Sequence, residues 1–465
     1  MQASVDGDEA AAAPEEPQQH EITLANQGEL PPHERTYGPV LLWEGANGTT
    51  PHLLFRPLRF TAEELWDDTP RQIDCDWQLT YAAPRCDCRL IHTLLADNGF
   101  THTPTRPTFN IFWSGSRVKP ALLLGLNEYQ KVNHFPGTHE ITRKDRLART
   151  LLAAREVHGS AAYGFVPVTY VLPADTEALL EHMRELEHTS GERAAWIVKP
   201  SASSRGRGIS IISHPHQLPR DDVVVSRYIA RPLLIDRYKF DIRIYVAVTS
   251  FYPLRVYVFE EGLVRFSTEK YAWSEQGAAS LHNQYMHLTN YSINKHSSKF
   301  VQNSDATADD TGSKWSLSAL RRHLTRCGVD VPRLNALIDE LIVKTLVAVE
   351  PGVTASCRRY CAHRNSCFEL LGFDVLIDDC LKPWLLEVNL SPSLSTDTPL
   401  DLKVRVRVRV RVRVRVRVRV SPNPNLSPNP NLDLKVKSQM LAQLFTLVSI
   451  QVRVSVTVRG SQPLP

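Results

Sequence analysis

The stretch FELLGFDVLIDDCLKPWLLEVNLSPSL, residues 368–394, decides the fold. Two apolar runs of strand length follow one another, so the stretch predicts two β-strands. Alternation along the second puts Glu387 and Asn389 on one face and Trp384, Leu386 and Val388 on the other, packing the core. Asp374 falls in the middle of the first strand, where an unpaired carboxylate is costly. A cation shared by the three oxygen-bearing side chains removes that cost, and two acids with an amide suit Mg²⁺ bridging nucleotide phosphates. Pairing of Asp374 with an arginine, or a turn-capping role, accounts for the same residue equally well.

Working toward the N-terminus, WIVKPSASSRGRG (196–208) reads as a strand ending in Lys199 and a loop of small residues with Arg205, Gly206, Arg207 and Gly208. Small residues let backbone N–H groups approach an anion, and the cations neutralise it, which suits a triphosphate. The loop is not a Walker motif, since no Gly-Lys-Ser/Thr opens a helix. A basic hairpin loop on a solvated face has the same composition. Between these stretches lie YKFDIRIYV (238–246), with Lys239, Asp241 and Arg243 alternating on one face, and MHLTNYSINK (286–295), where Thr289, Asn290 and Ser292 cluster beside Tyr291. Polar residues of that density inside apolar strands line a cleft or form a hydrogen-bonded core network.

The rest of the chain fits an α+β protein with antiparallel-rich sheets behind a small α/β N-terminal domain. DWQLTYA and FNIFWSG read as strands, and RLIHTLLADNGF as a helix closed by Gly99. VNHFPGTHEITRKDRLARTL predicts a turn and a basic helix with Thr142 as N-cap and Asp145 at its third position. Strand-like runs WIVKP, GISIIS, DVVVSRYI, FDIRIYVAV, LRVYVFEEG and LVRFS alternate with turns. PRLNALIDELIVKTLVAVE (332–350) predicts a long helix with Leu334, Leu337, Ile338, Leu341 and Ile342 on one face. The expected divisions are a tail at 1–35, an irregular extension at 36–76, the N-terminal domain at 77–190, a catalytic region at 191–403, an insertion at 404–435 and a closing helix with a tail at 436–465.

That insertion is a Val-Arg alternation and two copies of SPNPNL, bracketed by repeated LDLKV at 400–404 and 432–436. It reads as a simple-sequence expansion or a gene-model error in preference to a strand with valines on one face and arginines on the other that clamps an acidic polymer. Its eight arginines exceed the net charge of +4, so the remainder of the chain is net acidic and overall charge argues for no acidic partner. With 42% hydrophobic and 22% charged residues the 465-residue chain is globular, which excludes wholesale disorder, a collagen-like fibre and a disulfide-stapled miniprotein. No apolar run approaches the ~20 residues that span a bilayer. The acidic N-terminus lacks a secretory pattern, and eight cysteines without regular pairing spacing fit reduced thiols, so a cytosolic protein is expected. Cys357, Cys361, His363 and Cys367 are types that bind zinc, but their spacing matches no common finger, and buried or incidental thiols are the favoured reading.

Lys199, the SSRGRG loop, KFDIR, HLTNYS and FDVLID with LLEVN together resemble the tubulin tyrosine ligase-like enzymes, which use an ATP-grasp fold to join an amino acid to a protein carboxylate. The resemblance runs from about Trp77 to Ser395 and resumes at about Leu432. KVNHFPGTHEITRKDRLARTL and LEVNLSPSLSTDTPLDLK look most like the polyglutamylase branch, especially its alpha-tubulin-preferring type. The resemblance implies that Lys199, Arg205 and Gly206 hold ATP phosphates, that Ser226, Arg227, Tyr228 and Ile229 lie beside the adenine, and that Lys239, Phe240 and Asp241 contact the nucleotide. Thr289 and Asn290 would line the same site. Arg265, Tyr291, Ser292 and Lys314 would hold free L-glutamate, with Arg205 near donor or acceptor, and Asp374, Glu387 and Asn389 would hold Mg²⁺. Lys199, Arg205 and Glu387 are the implied catalytic residues.

The implied reaction is ATP-dependent glutamylation of glutamate side chains in the acidic C-terminal tails of tubulin through an acyl phosphate. Expected partners are tubulin or microtubules and free glutamate, with neither nucleic acid nor membrane, and a monomeric state. The expected address is the cytoplasm and its microtubule cytoskeleton, with the cilium basal body and centrosome as candidates. Glycine or tyrosine as donor, and an inactive nucleotide- or tubulin-binding adaptor, are the alternatives. Arg143, Lys144, Arg146 and Arg149 are candidates for the wall of a basic tail-binding groove, or for a solvated helix face. The sequence ends soon after the core, short of the basic microtubule-binding region with which this branch often continues.

Overall fold

The computed structural model describes residues 20–21, 40–44, 50–55, 79–84, 86, 88–104, 109–191, 193–203, 206–273, 278–302, 309–394, 440–445 and 448. The insertion at 404–435 lies outside them, as does Arg205.

Two antiparallel sheets carry the site. The smaller has four strands in the order Ser210–Ile212, Trp196–Pro200, Val223–Arg227 and Thr169–Val171. Helix Thr176–Ser190 covers it, setting Leu179 and Met183 against Trp196, Val198 and Val225. The larger sheet runs Lys314–Ser316, Leu254–Lys270, Tyr238–Phe251, Glu369–Ile377 and Pro383–Asn389, with Leu234–Ile235 paired to Tyr238–Phe251. LRVYVFEEG and LVRFS are a single strand because Gly262 sits inside the ladder opposite Ile244 and ends nothing. A Cβ there would collide with the carbonyl oxygen of Arg243.

Helix Val331–Tyr360 backs the large sheet, burying Leu334, Ile338, Leu341, Ile342, Leu346 and Val349. Leu337, expected on that face, is 38% exposed. Three residues turn a helix short of a full circle by about 60°, which carries Leu337 past the edge of the buried stripe that Leu334 and Ile338 define.

The N-terminal region holds a parallel four-stranded sheet, Thr101–His102, Thr80–Ala82, Ile111–Phe112 and Lys131–Val132, beside helix Arg89–Asp97. This is the expected small α/β unit, and Gly99 takes the left-handed φ of +78° just past the helix. The segment expected to be a tail contributes a strand, His20–Glu21, paired to Val40–Glu44. Residues 440–445 are helical, and Met440, Leu441, Leu444 and Phe445 join Phe55, Leu94 and Phe368 in one core.

Two local expectations are corrected. Thr142 ends the short helix His139–Thr142, and Arg143, in extended conformation, is the N-cap of helix Lys144–His158. The Thr142 hydroxyl is spent on the Thr138 carbonyl, and Asp145 pairs with the Arg143 side chain. In Pro383–Asn389 the alternation breaks, because Asp374 pairs with Glu387 but Val375 pairs with Leu385. This bulge puts Leu385 and Val388 in the core and leaves Trp384 and Leu386 half-buried.

Candidate active site

The cleft lies between the two sheets, in a space of about 1050 Å³ including its solvent-open part. Strand register builds its floor. Lys314, Arg265 and Asp241 are partners across three adjacent strands. Arg243, two residues beyond Asp241 on the same face, is the partner of Asp374, and Asp374 is the partner of Glu387. One polar row therefore crosses all five strands.

Asp374 is 2% exposed and sits between two guanidinium groups. Arg243 bonds both of its oxygens, through Nε to Oδ1 and through Nη2 to Oδ2 at 2.9 Å, and Arg265 Nη2 approaches Oδ2 at 2.9 Å. Burial pushes this carboxyl up, but the two arginines outweigh it and hold it below the usual carboxylate range. The arginine partner considered for Asp374 is thus present, twice over. Arg265 also bonds both oxygens of Asp241 through Nε and Nη2. Its Nε and Nη2 are thus committed to carboxylates of the protein itself, so Arg265 does not offer that edge of its fork to a ligand.

The three expected metal donors converge. Asn389 Nδ2 lies 3.4 Å from both Asp374 Oδ2 and Glu387 Oε1. That nitrogen also donates to the Gly372 carbonyl at 3.2 Å, so the amide oxygen would reach the carboxylate side only with the side chain turned away from this bond, as a bound cation would favour. Two carboxylates and an amide oxygen around one point fit a hard divalent cation. The cysteine cluster does not assemble in this way. Cys361 Sγ lies 3.7 Å from Cys367 Sγ and within hydrogen-bond reach of Cys357, but His363 is exposed, and among the described His, Cys, Asp and Glu side chains only Asp378, Asp379 and Cys380 bring three ligand atoms close together. Asp378 there accepts from the Cys380 and Lys382 N–H groups and from Trp384 Nε1, as a turn-capping residue does.

Cations line the cleft from both sheets, Lys199 from the small one and Lys239 from the large sheet's strand Tyr238–Phe251. Lys199 lines the cleft, lowered by burial and raised by Glu387 and Asp374. Lys239 is buried and donates to the Tyr228 hydroxyl at 2.9 Å. Burial, against the pull of Asp241, brings it down to about 7. The same hydroxyl meets His287 Nδ1 at 2.8 Å, and burial lowers that imidazole to about 4, keeping it neutral. Ser226, Arg227, Tyr228, Ile229, Thr289 and Asn290 line the cleft as expected. Phe240 does not, because its side chain points into the core against Phe266. Gly206 takes φ of +76° and packs so closely that a Cβ would lie 2.5 Å from Ile293 and 3.0 Å from Asn290 Oδ1. The phosphate-type loop is thus seated on the HLTNYS segment. Lys314 Nζ lies 5.1 Å from the centre of the Tyr291 ring, next to Arg265 on the neighbouring strand, while Ser292 is half-buried in the same helical turn, Tyr291–Asn294.

Lys144 is neither in the wall of an outer groove nor on a solvated helix face, the two readings its sequence context offers. The structure turns it into the cleft, where it donates to the Ser203 carbonyl at 2.8 Å and pairs with Glu387 Oε2 at 3.2 Å. It ties the loop after Lys199 to the metal-type strand. The only sequence signal for this is its position as first residue of a helix whose N-terminal end abuts that loop. Its neighbours Arg143, Arg146 and Arg149 pair with Asp145, Glu140 and Asp175, so they present no unneutralised stripe. His287 was also missed, although it is the first residue of the quoted HLTNYS.

A cleft between two antiparallel sheets, with Lys199 on the smaller facing converging oxygen donors on the larger, has the architecture of an ATP-grasp-type fold. The sequence profile of the tubulin-tyrosine ligase family matches residues 124–423, and the chain belongs to that family. It is 46% identical over 363 residues to human Tubulin polyglutamylase TTLL5, covering 78% of this chain and 27% of that protein. It is 41% identical over 331 residues to Tubulin polyglutamylase ttll-5 of Caenorhabditis elegans, covering 69% and 45%. Mouse Tubulin monoglutamylase TTLL4 is 38% identical over 371 residues, covering 80% and 30%. The chain spans from about a quarter to under half the length of these relatives.

Proposed function

We propose that the chain is an ATP-dependent ligase that joins the α-amine of free glutamate to glutamate side chains in tubulin tails. The observation that carries this reading is the convergence of Asp374, Glu387 and Asn389 opposite Lys199, with Lys239 lining the same cleft, whose basic side chains outnumber its acids. Similarity to two tubulin polyglutamylases and a tubulin monoglutamylase supports the substrate class. Tubulin as partner implies a place at the microtubule cytoskeleton, and among the described residues no helix is long and apolar enough to cross a membrane.

A carboxylate is a poor electrophile, so the acceptor side chain is first phosphorylated by ATP to an acyl phosphate. The α-amine of the incoming glutamate attacks its carbonyl carbon, the isopeptide bond forms, and phosphate leaves. Mg²⁺ held by Asp374, Glu387 and Asn389 would neutralise charge on the phosphates. Lys199 and Lys239 meet the nucleotide phosphates, and Gly206 lets the loop backbone close over them. Lys144 holds that loop against Glu387. Lys314 and the Nη1 arm of Arg265 hold the donor carboxylate, and Asp241 fixes the orientation of Arg265.

Incorporation of radiolabelled glutamate, glycine or tyrosine into microtubules with ATP and magnesium tests the reading. Glutamate alone is expected to be incorporated. Preference for another donor would overturn the donor assignment, and incorporation of none would favour a binding adaptor.

A further inference from the structure

The strand that carries Asp241 at its cleft end reaches Tyr252 at its other end, ten or so residues away, which is roughly 30 Å at ~3.3 Å per residue. Tyr252 is 54% exposed at this hairpin tip. The Arg358 guanidinium lies 5.0 Å from its ring centre and that of Arg364 5.2 Å. Arg364 also donates to the Tyr252 carbonyl at 3.2 Å. Both arginines are exposed, as are Arg359, His363 and, three residues past Tyr252, Arg255. None of the ion pairs among the described residues involves these four arginines.

Two guanidinium groups held at one ring concentrate positive charge at the tip, which the π face offsets only in part. A segment carrying several carboxylates can pair with each of them, and the guanidinium fork matches carboxylate geometry. The ring already lies under two side chains of its own protein, so it offers little platform for stacking a nucleic-acid base. We infer that this hairpin tip is a docking surface for a glutamate-rich segment of an acid-tailed protein, remote from the cleft. The inference rests on the proposed acceptor class. A polymer bearing many acidic tails can leave one on the tip while another enters the cleft, which raises the local concentration of acceptor.

Fluorescence anisotropy of a labelled dodecaglutamate peptide with the full chain tests this. Arg358→Glu/Arg364→Glu is expected to weaken binding about fivefold or more, Arg255→Glu about twofold, and Lys199→Ala in the cleft less than that. Unchanged affinity in the double variant, or loss confined to Lys199→Ala, overturns the proposal. So does an oligothymidylate of equal length that binds more tightly than the peptide and is lost in the double variant. Transfer of glutamate to a short peptide should stay within about twofold in the double variant, because its changes lie far from the cleft. Loss of both binding and transfer there, with Arg255→Glu binding like wild type, also counts against the tip. A chain that binds the peptide through the tip but transfers no glutamate contradicts the proposed reaction and leaves the docking surface standing.

Discussion

Arg243 and Asp374 face each other across adjacent strands of the large sheet, and the guanidinium of one engages both oxygens of the other. Both side chains are nearly inaccessible, at 11% and 3%. Arg265 reaches the same carboxylate from the next strand. Cut off from water, these charges depend on one another, and in that respect the cleft floor is a stability element as well as a candidate site.

Removing one member leaves an under-compensated buried charge. Arg243→Ala is expected to cost about 3 kcal/mol, and Arg243→Lys to recover only part of it, because one ammonium cannot serve both oxygens in the guanidinium's geometry. Urea unfolding reads this as a lower midpoint at unchanged slope. A midpoint equal to that of wild type in Arg243→Ala would contradict the arrangement.

Gly206→Ala places a methyl group against Ile293 and Asn290 at a backbone φ that L residues rarely adopt. The loop lies at the surface of the cleft, so the global fold should survive with a loss of about 1–2 kcal/mol. ATP affinity is expected to fall about tenfold, by titration calorimetry, since the backbone can no longer close on the phosphates. Undiminished affinity would separate this glycine from nucleotide binding.

Lys239, brought down to about 7 by burial, is largely neutral at pH 8 in the free protein. Between that value and the ordinary lysine value the unfolded chain holds a proton the native state lacks, so its contribution to stability becomes more favourable as pH rises through this window. Below pH 7 both states are protonated and the dependence stops. Bound phosphates favour the charged ammonium, so nucleotide binding at pH 8 should take up a proton and weaken as pH rises from 7 to 9. Calorimetry in two buffers of different ionisation heat measures the uptake, which Lys239→Met should reduce. Proton release, or no linkage, would exclude Lys239 from the phosphate contacts.

Much of this site was legible in the sequence because strand alternation and small-residue loops are local properties. Glu387 and Asn389 share a face as predicted, and Lys199, Asp241 and Asp374 meet in one cleft. What was not legible depends on pairing between distant strands. The bulge opposite Asp374 moved Leu386 out of the core, and no residue in LLEVN announces it. The double engagement of Arg265 by Asp241 and Asp374 is a consequence of register, which a single strand's pattern does not contain. Lys144 reads from sequence as a groove wall or a solvated helix face, because a basic helix looks the same from either side. Only the packing of its first turn against Ser203 aims it inward.

The most direct test of the account is mass spectrometry of tubulin tails after incubation with the chain, ATP, magnesium and glutamate, with Glu387→Gln run in parallel. The account predicts ATP-dependent additions of whole glutamate residues to the tails by the wild-type chain. It predicts none by Glu387→Gln, whose unfolding midpoint should match that of wild type within about 1 kcal/mol because the residue it replaces is partly solvent-exposed. Tails left unmodified by the wild-type chain, or extended equally by the variant, would contradict it.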